Sequence, residues 1–140
     1  MARAIWLWLL MIVAESLHGI GRKLLIEPWV GDLRARQIGV PVGSLIIFAI
    51  AWWGIGWIRT QSLLKQLGIG VLWVAATVGF EIALGRGVLG LSWDRILSDY
   101  DLRQGGWMTV GLVFIALTPW LVNTLRNQTD RKSSETLSSR

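Results

Sequence analysis

Four apolar stretches, about Ala4 to Ile20, Val42 to Ile58, Leu67 to Leu84 and Trp107 to Leu125, decide most of what this chain can fold into. At 1.5 Å per residue, helices of about 17 to 19 residues cover roughly 26 to 29 Å, close to the ~30 Å hydrocarbon core of a bilayer. Backbone amides in lipid must be satisfied within their own segment, and none of the four shows the strict alternation of a barrel strand, so helices follow. The expected fold is all-α, an integral membrane four-helix bundle in one domain over residues 1–125, with a polar, mobile tail at 126–140. Composition agrees. A 53% hydrophobic content with 16% charged residues and a mean hydropathy of +0.51 excludes a disordered chain, a coiled coil and an ordinary cytosolic enzyme. Pro41 is placed at the start of the second span, where its missing N–H costs nothing, and Pro119 inside the fourth predicts a kink near Thr118.

Ten tryptophans against one tyrosine and three phenylalanines favour the ring that prefers the membrane–water boundary. Trp6, Trp8, Trp29, Trp52, Trp53, Trp57, Trp93 and Trp107 lie near the expected span ends and would set depth. The net charge of +5 is scattered between apolar blocks and forms no continuous face, which argues against a nucleic-acid partner and makes the basic residues topology signals. With four spans both termini share a side. Arg3, Arg59, Lys65, Arg126, Arg131, Lys132 and Arg140 then face Arg22, Lys23, Arg34, Arg36, Arg86, Arg95 and Arg103, a tie at seven each. Several loop arginines lie among acidic residues, so discounting them places both termini in the cytoplasm. The absence of cysteine removes disulfides, thiolate metal sites and cysteine nucleophiles. Residues 1–20 resemble a signal peptide in outline, but Glu15, His18 and the missing small-x-small site favour a retained first helix.

The connection at Arg59 to Gln66 is a short polar turn, whereas Gly21 to Pro41 and Arg86 to Gly105 are long. In the last, Leu89, Trp93, Ile96, Leu97 and Tyr100 recur at helical spacing behind Ser92 as N-cap, with Asp94 in the first turn, which predicts a short interfacial helix. Leu24 to Leu33 reads as a broken version of the same element. The two halves also align as a weak repeat. Glu15, Gly19, Arg22, Asp32, Leu33 and Arg34 correspond to Glu81, Gly85, Arg86, Asp101, Leu102 and Arg103, in parallel copies that would hold the two glutamates at similar depth.

An ionisable group inside a span costs about 3 kcal/mol even on the gentler insertion scales, so Glu15 and Glu81 are the residues to explain. Glu15, His18 and Arg22 form one stripe at i, i+3 and i+7. Three readings stay open. In the first, Arg22, Arg34, Arg36, Arg86 or Arg103 neutralises the acids, and with Asp101 these residues fix the loops onto the bundle. In the second, the two carboxylates, with His18, serve a proton- or cation-coupled carrier working as a dimer. In the third, His18 is an axial haem ligand completed by Met11 or a partner; otherwise no cofactor or metal is expected. Opposite Glu81, Ala75, Gly79, Ala83 and Gly87 set a small residue at every fourth position, which predicts close packing by a neighbouring helix and a central third span. Enzyme chemistry is not expected: no Ser–His–Asp spacing, HExxH or phosphate loop is present. The Asp94, Asp99 and Asp101 cluster is interrupted by Arg95 and Arg103 and reads as a solvated interfacial helix.

The strings Ala-Glu-Ser-Leu-His-Gly (14–19), Gly-Asp-Leu-Arg-Ala-Arg-Gln-Ile-Gly-Val (31–40), Phe-Glu-Ile-Ala-Leu-Gly-Arg (80–86) and Gly-Leu-Ser-Trp-Asp-Arg-Ile-Leu-Ser-Asp-Tyr-Asp-Leu (90–102) resemble a group of small bacterial four-span inner-membrane proteins to which no function is assigned. The resemblance covers the chain to about Leu125 and implies a bacterial inner-membrane location, with no activity or ligand. The functional expectation is a non-catalytic accessory or assembly protein that binds membrane lipids, other membrane subunits or a second copy of itself.

Overall fold

Every segment long and apolar enough to cross a membrane is helical, and the helices run well past the apolar stretches. The computed structural model describes residues 1–58, 60 and 62–138. Arg59, Gln61 and Arg140, which belong to the expected turn and to the charge count, lie outside the described residues. Four long helices result: α1 (Ala2–Val30), α2 (Asp32–Ile58) and α3 (Leu63–Val88), then α5 (Met108–Ser138). A short helix α4 (Trp93–Ser98) lies between α3 and α5. Among the described residues there are no strands.

Two expected loops are therefore largely helix. The Gly21–Pro41 segment extends α1 through a π-helical turn, Arg22–Ile26, and one α-helical turn, Glu27–Val30. The break is a single residue, Gly31, at φ 81°, a conformation glycine adopts without the Cβ penalty. Helix α2 then starts at Asp32, whose carboxylate complements the positive end of the helix. Pro41 thus stands inside α2 and not at its first position. The expected mobile tail is also helical, through Ser138. It lacks glycine and proline, and Thr129 and Ser133 donate their hydroxyls to carbonyls four residues back, at 3.0 Å each, so nothing local stops the helix.

The expected interfacial helix is present as α4. Ser92 caps it by accepting from the Arg95 N–H at 3.2 Å, and Asp94 lies in its first turn. Helix α3 ends in a second π-helical turn, Ala83–Val88, with the Leu89 N–H donating to the Leu84 carbonyl five residues back at 3.0 Å. The two halves differ in what joins their spans, Gly31 alone in the first and the short helix α4 with a 3₁₀ turn in the second. Asp32-Leu33-Arg34 opens α2, while Asp101 caps a 3₁₀ turn at Leu102–Gln104 that precedes α5.

The long helices form a ring in which α1 packs on α2, α2 on α5 and α5 on α3, and a much smaller contact joins α3 back to α1. Helix α2, between α1 and α5, and helix α5, between α2 and α3, share the centre of the packing, which the third span does not hold. The close approach is at Gly70, where a Cβ would lie 2.7 Å from the backbone carbonyl carbon of Ala116 on α5. Buried apolar residues concentrate in the half of the bundle nearest the termini: Ala4, Leu7 and Met11 of α1, Ile47, Ala51 and Ile55 of α2, Ile69 and Trp73 of α3, Ile115 and Val122 of α5. Trp73 is fully buried and donates its indole N–H to the Ala4 carbonyl at 2.8 Å. Trp8 turns inward and donates to the Thr77 hydroxyl at 3.1 Å, so it ties α1 to α3 where a boundary anchor was expected. Trp6, Trp53 and Trp57 are exposed toward the terminal end, and Trp29, Trp93 and Trp107 toward the other, as two aromatic girdles.

Candidate functional site

The inner row of α1 changes character half-way along. Ala4, Leu7 and Met11 are buried in the apolar core, and the row then continues as Glu15, His18 and Arg22, all half-buried. Helix α2 makes room for them. Its buried row, Ala35, Gly39, Gly43, Ile47, Ala51 and Ile55, repeats every four residues and is small at four of its six positions. A Cβ on Gly43 would lie 2.6 Å from Glu15 Oε2, and one on Gly39 would lie 2.8 Å from Arg22 Cδ and 3.7 Å from His18 Cε1. Three polar side chains of α1 therefore rest on bare backbone of α2.

On the other side of the gap stands α3, with Trp73, Thr77, Glu81 and Gly85 on one i, i+4 row. Trp73, Thr77 and Gly85 are buried, and only Glu81 is exposed. Trp73 and Thr77 are closed off by Ala4 and Trp8 of α1, and Gly85 by Ile96 of α4, whose side chain would sit 3.1 Å from a Cβ there. Glu81 thus continues the row that packs against α1 and α4 and is its one exposed member. It lies within electrostatic reach of Glu15 and Arg22, and Tyr100, the single tyrosine, lies within reach of Glu81.

Glu15 accepts from His18 Nδ1 at 3.2 Å through Oε2 when that nitrogen carries the proton. Its other oxygen, Oε1, is buried with no partner, as are His18 Nε2, Arg22 Nη1 and the Tyr100 hydroxyl. Burial pushes the Tyr100 phenol above its ordinary value, and the Glu81 charge adds to the shift.

The arginines expected to neutralise the acids are elsewhere, apart from Arg22. Arg36 pairs with Asp32 at 3.0 Å and with Asp99, and Arg95 pairs with the same two carboxylates at 3.2 and 3.0 Å. This four-membered cluster ties α4 to the start of α2. Arg86 donates to the Leu91 carbonyl at 2.7 Å and lies over the Trp93 ring, its Cζ 5.3 Å from the centroid. Asp101 accepts from the Arg103 backbone N–H at 2.8 Å and from the Gln104 amide at 2.9 Å, which is turn capping outside the spans, and the Arg103 side chain is exposed. Arg34 lines an open groove of about 550 Å³ with Gln37, Pro41 and Trp107. Arg36 and Arg95 are thus occupied by aspartates at the start of α2 and the end of α4.

The small-residue row of α3 is placed differently from expectation. Ala75, Gly79, Ala83 and Gly87 are all exposed, and a Cβ on Gly79 or Gly87 would meet nothing within 4 Å. The buried small-residue row belongs to α2. Its signal was present at Gly39 and Gly43, four apart, but spanned a segment read as loop. Met11, considered as a second haem ligand, is in the apolar core, whereas His18 is in the polar half. Among the described residues no three His, Asp or Glu side chains come together as a metal site. No protein-family model, curated protein or solved structure matches the chain.

Proposed function

We propose that the chain is a non-catalytic accessory or assembly component of a bacterial inner membrane, with both termini in the cytoplasm, which binds lipid or a larger membrane complex. The observation that carries this reading is the outward row of α3: Ala75, Gly79, Ala83 and Gly87 lie open along a membrane-crossing helix. Lipid tails give no hydrophobic drive for helix association, so contact in the bilayer depends on close backbone approach, which small residues permit. The resemblance of its sequence strings to small inner-membrane proteins points the same way. Gly79→Leu and Ala83→Leu test the reading. Each is expected to release whatever co-purifies with the chain in mild detergent, while Leu45→Phe on the lipid-facing side of α2 leaves it bound. A partner retained by both α3 variants, or a wild-type chain that reconstitutes alone as a monomer, contradicts it.

A second reading, a proton- or cation-coupled carrier, is favoured by one observation: Glu15 on α1 and Glu81 on α3 are close enough for the charge of one to bear on the other. A flux in proteoliposomes that disappears in Glu81→Gln would establish that reading in place of the first.

A further inference from the structure

We propose that the open seam between α1 and α3 is a binding site for the head group of an aminophospholipid, with its ammonium on Glu15 and Glu81 and its phosphate on Arg22. The site goes beyond the docking role of α3, because Glu81 and the row containing Gly79 lie on opposite sides of that helix; either can fail without the other.

Four polar groups on α1 and beside α3 lack partners. Glu15 Oε1 is a buried acceptor with nothing donating to it, Arg22 Nη1 a buried donor with nothing accepting, and the Tyr100 hydroxyl and His18 Nε2 are likewise unmatched. Buried polar atoms are almost always hydrogen-bonded, and each one left unmade costs about 1–3 kcal/mol, so four in one cluster describe an absent polar guest. Both signs of charge are present in that cluster, which selects a zwitterion. The register on α2 gives its length. Arg22 rests on Gly39 and Glu15 on Gly43, four residues or about 6 Å apart along the helix. That separation suits a phosphate and an ammonium joined by two carbons.

The guest reaches the site sideways. Glu81 is exposed on a membrane-crossing helix, and Val88, two turns further along the same face of α3, presents an exposed apolar side chain to the acyl chains beside it. A lipid can place its head group in the gap and leave its tails outside. Carboxylates need donors, and a primary ammonium brings three N–H groups. A choline head group has no N–H to offer. A glycerol head group has no cation and would set its phosphate against two carboxylates.

The test uses the full-length chain in mixed micelles with equal amounts of phosphatidylethanolamine, phosphatidylcholine and phosphatidylglycerol, read by native mass spectrometry. One phosphatidylethanolamine per chain is expected to be retained over either other lipid by about tenfold, the weight of one charge-assisted hydrogen bond. Glu81→Gln and Glu15→Gln should reduce that preference to near parity, and Glu81→Asp should keep most of it. Equal retention of the three lipids by the wild-type chain overturns the proposal whether or not the variants fold. So does an undiminished preference in folded Glu81→Gln, or occupation of the seam by a second copy that excludes lipid. Tight binding of free phosphoethanolamine in place of lipid would assign the gap to a soluble zwitterion and overturn the lipid assignment.

Discussion

Replacing Gly70 by alanine tests the packing of the ring at its tightest point. An added methyl would lie 2.7 Å from the Ala116 carbonyl carbon and 3.0 Å from its Cα, both backbone atoms of α5. No side chain can rotate away, so α3 and α5 must separate by a few tenths of an ångström to about 1 Å along a face that also buries Ile69 and Trp73. Overpacking of this kind costs about 1–3 kcal/mol, and contact with backbone puts it near the upper end. Alanine returns up to about 1 kcal/mol of helix propensity, leaving a net loss of about 2 kcal/mol, or more than tenfold in the folding equilibrium. Gly79→Ala is the control. Its methyl meets nothing within 4 Å, so only the propensity gain acts and the change is neutral or favourable by up to about 1 kcal/mol. Equilibrium unfolding in mixed SDS micelles, followed by tryptophan emission, measures both. If Gly79→Ala is the destabilising change and Gly70→Ala is silent, α3 is rotated and its small residues face inward.

Trp73→Phe keeps most of the buried ring but removes the N–H to Ala4, and is expected to lower stability by about 1–3 kcal/mol in the same assay, since the carbonyl shared by that bond loses a donor. Ser92→Ala removes the α4 cap and should weaken that helix by about 1 kcal/mol, seen as faster amide exchange over residues 93–98 with α3 and α5 unaffected. Because the chain has one tyrosine, its ultraviolet titration reports Tyr100 alone. The phenol should ionise above pH 10, its ordinary value, in the folded chain. The folded state then binds more protons than the unfolded one, so this group leaves stability unchanged below pH 10 and reduces it as pH rises from there toward the folded value. A normal titration midpoint would place the phenol in open water.

The spans were legible because length and apolarity alone decide a membrane crossing, and α4 because Ser92 and Asp94 mark a helix start that local hydrogen bonding then makes. The helix ends were not. Pro28, Gly31 and Pro41 all signal a break, and only Gly31, at φ 81°, is one; Pro28 fits the first turn of a short helix, and Pro41 is tolerated inside α2 on an exposed face. Periodicity found the small-residue row of α3 and could not say which way it faced. The equivalent row of α2 crosses the same misread segment, so the seat for Glu15 and Arg22 went unseen. The acid–arginine pairing followed chemical need without knowing the competing partners: Arg36 and Arg95 meet Asp32 and Asp99, aspartates that the fold brings to them from α2 and the end of α4.

In the inner row of α3 Glu81 is exposed, with Thr77 and Gly85 buried on either side. The chain contains no cysteine, so single replacements Thr77→Cys, Glu81→Cys and Gly85→Cys, each reconstituted in lipid and exposed to a small permeant maleimide, read that row directly. Rapid labelling at position 81 with protection at 77 and 85 is the predicted result. Protection at all three, or labelling at 77 equal to that at 81, would contradict it.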